Sequence, residues 1–232
     1  MRFHAGLNQF EQGRDIDLKD VVSTFYGDRI VACTEPEITP WPERVRRTGE
    51  LKIFPGPSFT PSVWVNDLDT AITTINELLK QNGVYLAFRK ADRAAGSPIV
   101  AETYPGSGLH GSAVQTVVDS RSGPSMNSVK LRVPATPKVG RADAGPAMRL
   151  HILVHELVHC IGLSNCAHSS DDVFIGTLVI DSSGTVPPPK LGGHTISRIK
   201  KAWPETWVSV QGGALAKQSA DELRKSMEGA KL

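Results

Sequence analysis

The sequence predicts a mixed α/β (α+β) domain, in which short strands and two principal helices share one core. Two segments, 67–81 and 146–161, place apolar residues at helical spacing. Between and before them lie short apolar, β-branched stretches of strand length. With 21 Gly and 16 Pro in the chain, many turns separate these elements. Hydrophobic residues make up 40% and charged residues 22%, which allows a packed core and argues against global disorder. A length of 232 residues suits one domain with extensions better than two full domains.

Residues 1–50 are polar and irregular, with Pro36, Pro40 and Pro42 close together, and read as an N-terminal extension. Residues 54–61 interleave Pro and Gly in a loop that leads to a short strand over 62–65. Asn66 or Asp67 can cap the first helix, whose stripe is Leu68, Ala71, Ile72, Ile75, Leu78 and Leu79, and Asn82-Gly83 stops it. Residues 84–88 and 98–101 read as strands, and 104–111 as a Gly-rich loop. Two further strands follow at 113–118 and at 128–133, the second alternating Val129, Leu131 and Val133. After a loop over 134–145, Pro146 suits the first position of the second helix. That helix carries Met148, Leu150, Ile152, Leu153 and Val154 to about Ile161, and Gly162 ends it. Residues 165–190 read as mostly irregular, 196–203 as a short helix stopped by Pro204, and 214–227 as a polar helical tail.

Several function classes lose support at this level. A formal net charge of +2, from 26 basic and 24 acidic residues, gives no electrostatic reason to bind nucleic acid or an anionic membrane. No run approaches the roughly 18 apolar residues that span a bilayer. The first residues, MRFHAGLNQFEQGRD, lack the apolar stretch of a secretory signal. Three cysteines cannot build a disulfide framework, though they leave room for one bridge, so a reducing setting is the default expectation. The location is read as cytoplasmic by default or reached by an export route not visible in the sequence, and a monomer is expected.

One motif carries chemistry. His155-Glu156-Leu157-Val158-His159 places two imidazoles four residues apart on one helix face, where both can reach a single metal ion. Glu156 lies between them and can take a proton from a metal-bound water, whose pKa the metal lowers to about 7. Random placement of the chain's seven His and its Glu residues gives about 0.01 expected matches, so chance is disfavoured. Two imidazoles on an apolar helical stripe are also costly without a partner.

Downstream the chain continues Cys160-Ile161-Gly162-Leu163-Ser164-Asn165-Cys166-Ala167-His168. With His155, Glu156, His159 and Gly162, this stretch resembles the metzincin metalloproteases, whose H-E-x-x-H-x-x-G-x-x-H pattern precedes a Met-turn. Asn165 stands at that family's third-His position, and His168 follows three residues later. The wider chain is similar to the matrixin branch, through Val63-Trp64-Val65-Asn66, the helix over 67–81, the stretches 84–89 and 99–103, and the closing helix to Trp203. Residues 168–174 resemble its post-ligand segment, with Phe174 where the Met lies. The resemblance covers residues 51–205, leaving 206–232 as a C-terminal tail. It implies a zincin/metzincin-like fold, a twisted mixed β-sheet with an active-site helix and a backing helix. It further implies a zinc-dependent endopeptidase acting on extended protein or peptide substrate. His155, His159 and His168 would hold Zn²⁺, and Glu156 would pass the water's proton to the leaving amine. In such folds the strand edging the cleft pairs with substrate, a role open to 113–118 beside the plainer one of a core strand.

The third ligand has rivals. Imidazole is a better zinc donor than an amide oxygen, which favours His168, whereas spacing favours Asn165. The extra residues 165–167 can be absorbed as a bulge in an irregular loop. His194 and Cys166 are weaker candidates. His151, four residues before His155, is an auxiliary ligand or, more simply, a histidine at the solvent edge. His110 reads as a surface residue. Asp171 and Asp172 are either imidazole partners or turn formers. Cys33 is a candidate zinc-blocking thiolate, as in the matrixin propeptide, or a buried structural thiol. Two rival functions stand beside the protease: a non-catalytic zinc-fold structural or assembly protein, favoured by Asn165 and Phe174, and a small-molecule metallohydrolase.

Overall fold

The computed structural model describes residues 36–120, 123–170, 172–176 and 186–204. The expectations for Cys33, for Asp171 and for a helical tail over 206–232 lie outside them.

The fold is mixed α/β. Its strands are β1 (Glu50–Pro55), β2 (Ala87–Lys90), β3 (Ile99–Gly108), β4 (Ser112–Ser120), β5 (Gly123–Val139) and β6 (Ala142–Asp143). Its helices are α1 (Glu43–Arg46), α2 (Trp64–Gln81), α3 (Pro146–Ile161) and α4 (Gly193–Ala202). The twisted sheet runs β2-β1-β3-β5-β4, with β6 pairing β5 off that path. β1 is parallel to β2 and to β3, and β3 is parallel to β5. β4 lies antiparallel to β5 at the edge. Parallel neighbours need a crossover, and α2 supplies the one from β1 to β2.

β1 was not anticipated. Leu51 and Ile53 are fully buried while Lys52 between them is exposed, the period-2 pattern of a strand. Two inward residues beside a Pro and Gly-rich stretch are too short a signal to read alone. The strand expected at 62–65 is corrected: the chain turns there, and α2 begins at Trp64. Val63 and Val65 prefer strands, but Trp64 and Leu68, one helical turn apart, are both fully buried. The Trp64 indole donates to the Pro134 carbonyl at 2.8 Å, which fixes the helix start to β5. The loops expected over 104–111 and 134–145 are shorter than read, because β3 continues to Gly108 and β5 to Val139. Extended backbone there is held by ladder pairing, such as Ser107 with Thr136, rather than by side-chain propensity.

α3 has the bounds its sequence signals predict. Pro146 takes its first position, and Gly162 ends it at φ 124°, a conformation only glycine adopts freely. A Cβ on Gly162 would also lie 2.6 Å from the Thr39 carbonyl oxygen. The segment from Ile38 therefore runs against the helix end. Thr39 N donates to Gly162 O at 2.9 Å, Ser164 N to Glu37 O at 3.0 Å, and the Trp41 indole to Cys160 O at 2.8 Å. Trp41 is buried in the same core as Trp64, Leu131 and Leu157. Residues 36–50 thus pack onto the sheet and α3. At its other end α3 is tied to α2 by Arg149, which pairs with Asp67 at 2.6 Å. No helix among the described residues is long and apolar enough to cross a membrane.

Candidate metal centre

His155 and His159 lie one turn apart on the last two turns of α3, as helical geometry requires. The third imidazole comes from beyond the helix. Gly162 turns the chain, and Ser164 then caps a single 3₁₀ turn over Asn165–Ala167, its Oγ accepting from Cys166 N at 3.1 Å. That turn delivers His168 beside the other two. The ligand atoms of His155, His159 and His168 lie within 4.8 Å of one another. His168 Nε2 and His159 Nε2 are 3.2 Å apart. Two nitrogens at about 2.05 Å on a tetrahedral ion sit about 3.3 Å apart, so the observed spacing fits a small divalent cation.

The orientation of the rings supports the same use. His155 Nδ1 faces the Val173 carbonyl at 2.9 Å, and His159 Nδ1 faces the Leu163 carbonyl at 2.8 Å. A carbonyl only accepts, so each ring carries its proton on Nδ1 and turns a bare Nε2 toward the shared centre. Phe174 is fully buried against all three rings, its centroid 4.7 Å from those of His159 and His168 and 5.3 Å from that of His155. On Gly176 a Cβ would lie 3.2 Å from His168 Nδ1, so that backbone also closes on the site.

Asp172 resolves as a turn former. Its carboxylate accepts from Phe174 N at 2.8 Å, from Gly192 N at 2.7 Å and from the Ser169 hydroxyl. It therefore shapes the loop that carries His168, Val173 and Phe174, and pins that loop to the entry of α4.

Electrostatics follow from burial. Desolvation drives the imidazoles of His155, His159 and His168 down to about 3, with a neighbouring imidazole adding to the fall in each case. The set is neutral at pH 7 and ready to coordinate without first shedding protons. Burial pushes the Glu156 carboxyl up to about 8. Its Oε2 is buried and has no hydrogen-bond partner among the described residues. A cation in the centre would bring this carboxyl back toward its ionised form.

The other candidates separate cleanly. Asn165 is exposed within the 3₁₀ turn, and His194, exposed on the first turn of α4, does not join the cluster. Cys166 is disulfide-bonded and offers no thiolate, while Cys160 is free and buried. His151 is not at the solvent edge as expected. It is buried, and among the described residues the group that reaches its ring is the Pro187 backbone. That backbone offsets only part of the fall in its pKa, which burial causes. Neither the orienting carbonyls of Val173 and Leu163 nor the Gly176 contact could be read from the chain, since a backbone group has no sequence signature. No protein-family model matches the chain, and no curated protein matches it.

Proposed function

We propose that this protein is a zinc-dependent endopeptidase of metzincin type, closest to the matrixins, that hydrolyses extended protein substrate. The observation that carries the reading is the convergence of three imidazoles, two on the helix that also holds Glu156 and the third from the turn beyond it. Three imidazoles with a coordination position left over are the donor set of catalytic rather than structural zinc. The parallel order β2-β1-β3-β5 with antiparallel β4 at the edge, α2 packed on α3, and Phe174 seated against the ligand rings support it.

A bound Zn²⁺ would supply a Lewis acid that acidifies water and polarises the scissile carbonyl. The rest falls to the chain. Glu156, ionised beside a bound cation, would take the proton of the attacking water and hand it to the leaving amine. β4 offers a free edge that an extended peptide could join as a further strand. His155, His159 and His168 would hold the cation without neutralising its charge.

The test is zinc analysis and casein cleavage on one sample. About one Zn²⁺ per chain, with cleavage abolished by chelator and restored by zinc, is the expected result. Stoichiometric zinc without cleavage of any peptide in a library would select the second reading, a non-catalytic zinc-binding protein. The observation favouring that reading is the depth at which Glu156 is buried.

A further inference from the structure

We propose that Gly111 is a positioning residue for Glu156, its bare backbone forming the wall that sets where the carboxylate lies. The inference rests on reading Glu156 as the general base. Gly111 is buried at the entry of β4. A Cβ built there would lie 2.6 Å from Glu156 Oε1, 2.7 Å from Cγ and 2.9 Å from Cδ. These distances are below any tolerated carbon contact, and they involve the stem of the side chain as well as its tip, so a swing of the carboxylate alone does not relieve them. Gly111 is not among the glycines with positive φ. Alanine could adopt its backbone conformation, so space and not torsional freedom demands glycine here.

Two further observations make this wall an aligning device. Among the described residues Glu156 Oε2 has no hydrogen-bond partner, so packing is what aims that oxygen. The wall itself is anchored on both sides. Ahead of it, the Tyr104 hydroxyl donates to the His110 carbonyl at 2.8 Å, and the Arg132 guanidinium lies over the Tyr104 ring at 5.8 Å. Behind it, the Gln115 amide donates to His159 O at 3.1 Å and to Leu163 O at 3.3 Å. Leu163 O is the same carbonyl that orients the His159 ring. The first residues of β4 therefore clamp onto α3 at the base through Gly111 and at a ligand through Gln115.

The test is a double-mutant cycle of Gly111→Ala and Glu156→Ala, read two ways. In the metal-free protein, Gly111→Ala should lower the thermal midpoint by several degrees in the wild-type background and by under about one degree in Glu156→Ala, where the new methyl fills vacated space. In the zinc-loaded protein, Gly111→Ala should keep its zinc, lose about 100-fold in kcat and hold KM within about threefold. Tyr104→Phe, which only loosens the wall, should lose about tenfold in kcat with KM unchanged. Folding of the double variant where Gly111→Ala alone fails to fold would support the proposal. Additive shifts in the cycle, failure of both Gly111 variants to fold, or unchanged kcat in Gly111→Ala would overturn it. An inert wild-type protein would refute the peptidase reading instead, and the stability cycle would still decide the contact.

Discussion

At the scale of single residues, base and ligand are chemically distinct and can be separated. Glu156→Ala should retain about one Zn²⁺ per chain and lose turnover, measured by metal analysis and casein hydrolysis together. Loss of zinc from that variant would contradict its role as base. His168→Ala should weaken zinc affinity by at least about 100-fold in a competition titration, because an imidazole on the inner coordination sphere is lost. Asn165→Ala should stay within a few-fold, since Asn165 is exposed and outside the cluster. The reverse ranking would remove His168 from the site. Phe174 acts through shape. Phe174→Ala opens a cavity against three ligand rings and should cost about 3–5 kcal/mol of stability in urea denaturation. Phe174→Met conserves most of the volume and should cost under about 1.5 kcal/mol.

At the scale of elements, the decisive piece is the loop from Gly162 to Gly176, which leaves α3 and returns to it. Asp172 joins three backbone and side-chain donors in that loop and at the entry of α4. It touches no ligand, yet it places Val173 O against His155 and Phe174 against all three rings. Asp172→Ala should therefore weaken zinc binding by about 10–100-fold, the range for groups that orient ligands from behind. Ser169→Ala removes one of the three donors and should show a smaller loss. Equal zinc affinity in wild type and Asp172→Ala would mean that the loop holds its shape without the carboxylate.

For the whole molecule, the titrating groups give opposite pH slopes. The three ligand imidazoles sit near 3 in the folded protein against an ordinary 6.5. Below 6.5 the unfolded chain takes up protons that the folded one refuses, so metal-free stability falls as pH drops through the window from 6.5 to 3. Glu156, at about 8 against 4.5, runs the other way. Its folded form holds a proton that the unfolded chain releases, a contribution present below 4.5 and lost as pH rises to 8. Between 4.5 and 6.5 three histidines outweigh one carboxyl. The metal-free protein should be most stable near about pH 6.5, measured by urea midpoints at several pH values. Glu156→Gln should flatten the decline toward pH 8. A wild-type midpoint still rising at pH 8 would show that Glu156 ionises freely in the fold.

Residue order alone settled whatever depends on local periodicity and spacing. α3 and its stop at Gly162 follow from Pro146, the apolar run and a glycine, and the pairing of His155 with His159 follows from a four-residue interval on a helix. The strands around Val129 to Val133 and around 113–118 were legible from alternation and β-branching. Non-local features were not. The sequence left Asn165 and His168 as rival ligands, and only the fold shows that a capped 3₁₀ turn brings His168 beside His155 and His159. β1 and the C-terminal ends of β3 and β5 exist because partner strands lie alongside, which no short window reports. Trp64 turned a strand-like tetrapeptide into a helix start because burying its ring against β5 outweighs local propensity. The same holds for His151, whose burial no local pattern announced, and for Gly111, whose need for a missing side chain arises only where β4 meets Glu156. Spacing along a chain determines which residues can share a face; which faces then meet is decided by packing across distant segments.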